Sequence, residues 1–192
     1  MENDSQDTSN SLRGYLLVAM PGLADPNFSH SVIYVCEHSS EGTMGLVINQ
    51  PLELPLSRVF AQMDLDCPDE LSEQPLLLGG PVDQQRGFIL HCSTEQQWQS
   101  TVSVTQQISL TASRDIIEAL ASNQGPENSL MVLGYAGWGP GQLEHELQEN
   151  AWLTIPAEPA FLFDIPYSDR AEVAAARLGI DLNLLSTHAG HA

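Results

Sequence analysis

Apolar positions set the frame of this chain. Residues 12–20 (LRGYLLVAM) form a near-continuous apolar run, the mark of a buried strand, and Pro21-Gly22 ends it. Residues 31–38 (SVIYVCEH) are β-branched and aromatic, and 44–49 (MGLVIN) repeat the pattern. The intervening SSEGT supplies turn chemistry, so the two runs predict a hairpin. In 55–63 the spacing changes: Leu56, Val59, Phe60 and Met63 fall on one helical face. Short strands are predicted at 76–78 and 87–92, and a second hairpin at 101–104 and 108–111. A helix is expected over 113–122 with Ser113 as N-cap, then a buried strand over 130–135. The Gly-rich stretch 137–141 (GWGPG) predicts a turn opening a helix at 142–150. Apolar pieces at 152–155 and 160–163 read as strands. The last clear element is a helix over 168–178, capped by Ser168 and ended by Gly179 in the C′ position.

Strands run consecutively early and helices come singly and late. Strict β-α-β alternation is absent, which favours α+β over a doubly wound sheet. No repeat or long linker divides the chain, so one domain is expected over 12–192, preceded by a disordered polar tail at 1–11.

Charge narrows the function classes. Of 192 residues, 25 are acidic and 6 basic, a formal net charge of −19; all six bases are Arg, and Lys is absent. A Lys Schiff base and a P-loop Lys are thereby excluded. The Arg residues, at 13, 58, 86, 114, 170 and 177, make no stripe. Direct nucleic-acid binding and anionic membranes are disfavoured, and a basic protein partner is favoured. Residues 64–75 carry five acids and no base. They are an exposed loop, either simply solvated or a docking strip for such a partner. The N-terminus has no signal-peptide pattern, and no apolar stretch is long enough to span a bilayer. A cytoplasmic location is expected. Oligomeric state stays open.

Little of the chain carries recognisable chemistry. Cys36, Cys67 and Cys92 form no C-x-x-C. Cys36 and Cys92 read as small core residues, and Cys67 sits among acids that disfavour its thiolate. The glycines at 134, 137, 139 and 141 lie between a strand and a helix, yet G-x-x-G-x-G-x-G does not match a dinucleotide fingerprint. Glu144 and Glu146 at the start of that helix would repel a phosphate, while Glu144 suits the helix dipole. His145 and Glu149 are i,i+4 and could share a metal only if a third ligand existed. Neither a metal nor a cofactor is expected. His38 can be read as a general base or as a strand-end histidine bonded to backbone; Asp25 as a reactive carboxylate or as an Asx turn before Pro26. Trp138 and Trp152 suit a ligand pocket or, more simply, core packing beside a turn.

Several long phrases can be read together. They are LRGYLLVAMPGLADPNFSHSVIYVCEH, GTMGLVINQP, LGGPV, GFILH, GYAGWGPGQLEHELQENAWL and the ending GHA. In these the chain resembles the AlgH/YqgE family of bacterial proteins over residues 12–192. The resemblance implies an α+β fold with a large mixed, largely antiparallel β-sheet flanked by helices. It also brings the label of transcriptional regulator, tied to exopolysaccharide control, but no catalytic residue. Its polar signature positions are Asp25, His38, Asn49, Gln142, Glu144 and Glu146, with Trp138 beside them. These seven are the candidates for binding a ligand or partner; none is assigned as catalytic. The reading is a non-enzymatic protein that regulates indirectly through a partner. The alternative is a small-molecule-binding or hydrolase-like protein whose polar residues converge near the Gly-rich turns.

Overall fold

The computed structural model describes residues 11–186. The strands are β1 (Tyr15–Ala19), β2 (Val32–Ser39), β3 (Gly42–Val47), β4 (Pro51–Pro55), β5 (Pro75–Leu78), β6 (Val82–Cys92), β7 (Thr101–Ser103), β8 (Ile108–Thr111), β9 (Ser129–Trp138) and β10 (Trp152–Pro156). The helices are α1 (Leu56–Gln62), α2 (Asp69–Ser72), α3 (Arg114–Ala121), α4 (Gln142–Gln148), α5 (Pro159–Asp164), α6 (Arg170–Arg177) and α7 (Leu182–Ser186). One sheet holds all the strands in the order β10-β1-β2-β3-β9-β6-β8-β7, with β4 and β5 as a branch. The β5–β9 pairing is parallel and the others are antiparallel, so the fold is α+β with a mixed, largely antiparallel sheet.

Alternation assigns the two faces. Leu16, Val18, Tyr34, Leu46, Phe88, Leu90 and Val132 point inward, where α5 and α6 cover them with Phe161, Leu162 and Ala174. Leu17, Ile33, Val35, Val47 and Ala136 point outward beneath Leu143 and Leu147 of α4. Ile89 and Met131 point outward beneath Leu56 and Phe60 of α1 and Ile116 and Leu120 of α3, each pair set four residues apart on its helix. The sheet curls far enough for its ends to meet: the Arg13 guanidinium, just before β1, donates to the carbonyl of Ser103 in β7. That bond also blunts the β7 edge.

The centre of the sheet holds a chain crossing. β5 lies beside Leu133 of β9 on one side, and β6 begins beside Tyr135 on the other. The link, Gly79-Gly80-Pro81, passes directly over Gly134. A Cβ on Gly80 would sit 2.2 Å from the Tyr135 carbonyl, and one on Gly134 2.7 Å from the Gly80 oxygen. Gly134 has φ +70° and shifts the alternation of β9: Leu130 and Val132 face inward, then Tyr135 inward and Ala136 outward. The glycines of the L-G-G-P phrase therefore have a steric reason to be there.

Several expected elements differ. The strand expected at 160–163 is helix α5, because Pro159 occupies its first turn with a preset φ and a short apolar run has no period to separate helix from strand. Ser168 does not cap α6; its hydroxyl donates to the Asp169 carboxylate, and Asp169 takes the N-cap position. Ser113 is the N-cap of α3 by position, yet its hydroxyl donates to Asp115 rather than accepting a helix N–H. The acidic loop contains α2. Gly137 and Trp138 belong to β9, paired with Met44 and Thr43, so the turn begins only at Gly139. β6 starts five residues earlier than expected, at Val82, and 51–54, unassigned from the sequence, form a strand with Pro55, a residue expected in the helix. Gly179 ends α6 with φ +70°, as expected. The expected tail lies outside the described residues except for Ser11, whose hydroxyl donates to the His38 carbonyl. The ending GHA also lies outside them.

Candidate functional site

Five of the seven candidates gather at α4, Trp138, Gln142 and Glu146 in one hydrogen-bonded cluster and His38 with Glu144 as a pair. Leu143 and Leu147 seat that helix on the sheet, which turns Gln142, Glu144 and Glu146 toward the neighbouring strands. One oxygen of Glu146 accepts both indole N–H groups, from Trp138 at 3.0 Å and Trp152 at 2.8 Å. Its other oxygen accepts from the Gln142 amide at 3.0 Å, and the Gln142 oxygen accepts from the Gly139 backbone N–H. The two indole rings lie edge-on at 6.0 Å, and Phe28 packs against both, stacked on Trp138 and edge-on to Trp152. Trp138 and Trp152 are buried. The result is an aromatic box fastened by one carboxylate, in which every polar atom named has a partner.

Asp25 and Asn49 serve the loop that delivers Phe28. The Asp25 carboxylate accepts from the Asn27 N–H at 2.9 Å and caps the short 3-10 turn at Pro26–Phe28. This is the Asx-turn role, on an exposed residue. The Asn49 amide donates to the His30 carbonyl at 2.8 Å and its oxygen accepts from the Val32 N–H at 2.8 Å. Asn49 thus closes the far end of the loop, where His30 has φ +60°. Asp25 performs the Asx-turn duty that the sequence offers before Pro26, while the duty of Asn49 leaves no mark in the sequence.

His38 faces α4 across the sheet. Nδ1 accepts the Leu12 backbone N–H at 2.9 Å. That nitrogen must therefore carry the lone pair, and Nε2–H donates to Glu144 at 2.8 Å. Both ring nitrogens are engaged, which leaves no free base. The Glu144 backbone N–H and then the His38 ring hold the Glu144 carboxyl below its ordinary value. His145 and Glu149 stand 3.6 Å apart on an exposed face. Among the described residues no group of three potential metal ligands occurs. No described helix is long and apolar enough to cross a membrane.

The thiols are quiet. Burial pushes Cys36 up to about 12, and burial followed by the nearby Asp69 raises Cys67. Cys92 is half-buried.

Three features escape sequence reasoning. The first is His91, fully buried in β6. It sits between the Cys92 carbonyl at 2.8 Å and the Thr111 hydroxyl at 2.9 Å. The carbonyl only accepts, so Nδ1 carries the proton and Nε2 accepts from Thr111. Thr111 in turn accepts from Thr101 at 2.8 Å, and Thr101 from the Trp98 N–H. A histidine inside the apolar phrase GFILHC was the available signal. The second is Arg170, buried in α6 and donating to the carbonyls of Ile48, Leu162 and Ile165. Burial lowers it to about 10.

The third is a groove of about 560 Å³ on the inner side of the curled sheet. Met44, Phe88, Leu110 and Tyr135 form its apolar lining, and Glu37 and Arg86 bring charge to it. Each charged residue follows an irregularity: β2 slips register between Val35 and Glu37, and β6 between Val82 and Gly87. Bulges of this kind re-aim side chains. Arg86 lies over the Phe88 ring at 5.1 Å.

Comparison with known proteins agrees with this architecture. The model of a family described as AlgH-like, DUF179, matches residues 16–183. A UPF0301 protein of Thioalkalivibrio sulfidiphilus is 51% identical over 184 residues, covering 96% of this chain and 98% of its own. A UPF0301 protein of Saccharophagus degradans is 50% identical over 182 residues, covering 95% and 89%. The solution structure of the AlgH protein from Pseudomonas aeruginosa superposes with a TM-score of 0.78 at 47% identity, each chain fully covered. A crystal structure from Corynebacterium diphtheriae shares the fold at 22% identity, with a TM-score of 0.72 over 97% of this chain and 94% of that one.

Proposed function

We propose, on the premise that the chain belongs to the AlgH-like family, that it is a non-catalytic binding protein that regulates through a protein partner. The observation carrying this reading is the engagement of the candidate side chains. Asp25, His38, Asn49, Trp138, Gln142, Glu144 and Glu146 all hold internal hydrogen bonds that brace α4 and the aromatic box. Acid–base or nucleophilic chemistry needs a group free to exchange protons with a substrate, and His38, the best placed, has neither nitrogen free. This engagement of His38 weighs against the hydrolase-like alternative.

The net charge of −19 without Lys supports a basic protein surface as partner and speaks against DNA. Such a partner would associate fast, with a rate that falls as salt rises. Fluorescence anisotropy of a labelled DNA duplex, titrated with the protein at low and high salt, tests the DNA half. Flat anisotropy is expected; saturable binding with a steep salt slope would overturn it. Surface capture of chemically cross-linked partners at the two salt levels tests the other half. Partners with acidic surfaces, or capture unaffected by salt, would refute the charge reading.

A further inference from the structure

From the groove on the inner side of the sheet we infer that the protein binds a small zwitterionic ligand with an apolar body, of the size and chemistry of a short aromatic peptide. The inference is independent of the macromolecular partner proposed above, because it concerns the other face of the sheet from the aromatic box.

The groove's volume, about 560 Å³, lies within the range of small-molecule sites. Strands β2, β3, β6, β7, β8 and β9 supply most of its lining, joined by Gln99 and Ser100 of the turn before β7. Phe88 and Tyr135 meet edge to face at 6.1 Å, which presents an aromatic floor. Two exposed ions of opposite sign reach the same groove, Glu37 and Arg86. They do not satisfy each other: among the described residues, Arg114 is the one arginine within 4 Å of a carboxylate.

Its position is also built. The register break in β6 leaves residues 83–86 opposite Gly134 alone, with Asp83 in the left-handed region at φ +46°. Non-glycine residues adopt that conformation at a cost and cluster at binding sites. The bulge delivers Arg86 above Phe88, and the break in β2 turns Glu37 to the same side. A cation and an anion lining one apolar groove complement a dipolar ligand: a carboxylate for the Arg86 fork, an ammonium for Glu37 and a ring against Phe88 and Tyr135. A zwitterion carries no net charge, so the −19 field of the protein does not repel it, as it would a simple anion.

The test uses the full chain and the dipeptide Phe-Phe, with its N-acetylated and C-amidated forms, by calorimetry and backbone amide shifts. Saturable binding of Phe-Phe is expected, with shifts at Met44, Phe88, Thr101 and Tyr135. Acetylation or amidation should each weaken it about tenfold, as should Glu37→Gln and Arg86→Gln, since each deletes one charge-assisted bond. Both side chains are exposed, so thermal melts of the two variants should match the parent. If either variant fails to fold, the capped dipeptides with the unmodified protein carry the same comparison. Absence of saturable binding, shifts confined to other strands, or equal affinity for the capped and free dipeptides would each overturn the inference.

Discussion

His38 and Glu144, 106 residues apart, meet at 2.8 Å with the proton on Nε2 of the imidazole. The Leu12 N–H on Nδ1 dictates that tautomer, so the pair is a hydrogen bond between a neutral ring and a carboxylate. Heteronuclear NMR of the His38 ring should show a bare Nδ1 and a protonated Nε2. Glu144→Gln keeps an acceptor at a half-exposed position and should cost under about 1 kcal/mol in urea denaturation. His38→Ala removes the acceptor of a backbone N–H as well and should cost about 1–3 kcal/mol. The opposite ranking would contradict the assigned roles.

Glu146 is the more consequential carboxylate. Replacing it by Ala strips the partner from two buried indole N–H groups and from the Gln142 amide. A loss of about 2–5 kcal/mol is expected from denaturant midpoints, with altered tryptophan fluorescence as the box loosens. Glu146→Gln should lie between, because its amide nitrogen opposes a donor. A variant as stable as the parent would remove the box from the account.

His91 sets an acid dependence. Burial keeps its pKa below the ordinary 6.5. As pH falls through about 6.5 the unfolded chain takes up a proton that the folded chain refuses. The unfolded state then binds more protons, and stability drops with pH until the lower, folded value is passed. Above the unfolded value the contribution is complete. Urea midpoints measured from pH 8 to pH 5 should fall more steeply for the parent than for His91→Gln. Parallel curves would show that the ring titrates equally in both states.

Gly134 and Gly137 lie in the same strand with different demands. Gly134→Ala places a methyl 2.7 Å from the Gly80 oxygen at φ +70° and should cost about 2–4 kcal/mol. Gly137→Ala meets only the Tyr135 ring at 3.5 Å and should cost under about 1 kcal/mol. Thermal melts of the two variants distinguish crossing sterics from general strand preference.

These positions also show what a sequence discloses. The β-branched and aromatic run at 31–38 identifies β2, and the Ser113 start of 113–122 identifies α3. The α+β class follows from element order. Pro159 hid α5, since two adjacent buried residues, Phe161 and Leu162, satisfy strand and helix alike. Asp25, His38 and Asn49 stood out as polar residues in long shared phrases. The Asx turn of Asp25 and the backbone bond of His38 match readings the sequence offers, whereas the backbone partners of Asn49 leave no pattern in side-chain identity. Arg86 went unnoticed because a register break is a property of two strands, and only one of them can be read at a time.

The central placement of β9 has a consequence for synthesis. Residues 129–138 pair with β3, β5 and β6, all of which leave the ribosome earlier. Until that stretch emerges, two halves of the sheet have no seam, and the Gly79-Gly80 link has nothing to cross. Nascent chains shorter than this point expose unpaired strand edges and depend on chaperones for protection. Folding is therefore gated by emergence of the second half of the chain, and a stall that leaves β9 inside the ribosome would be more hazardous to the cell than one after β9 has emerged.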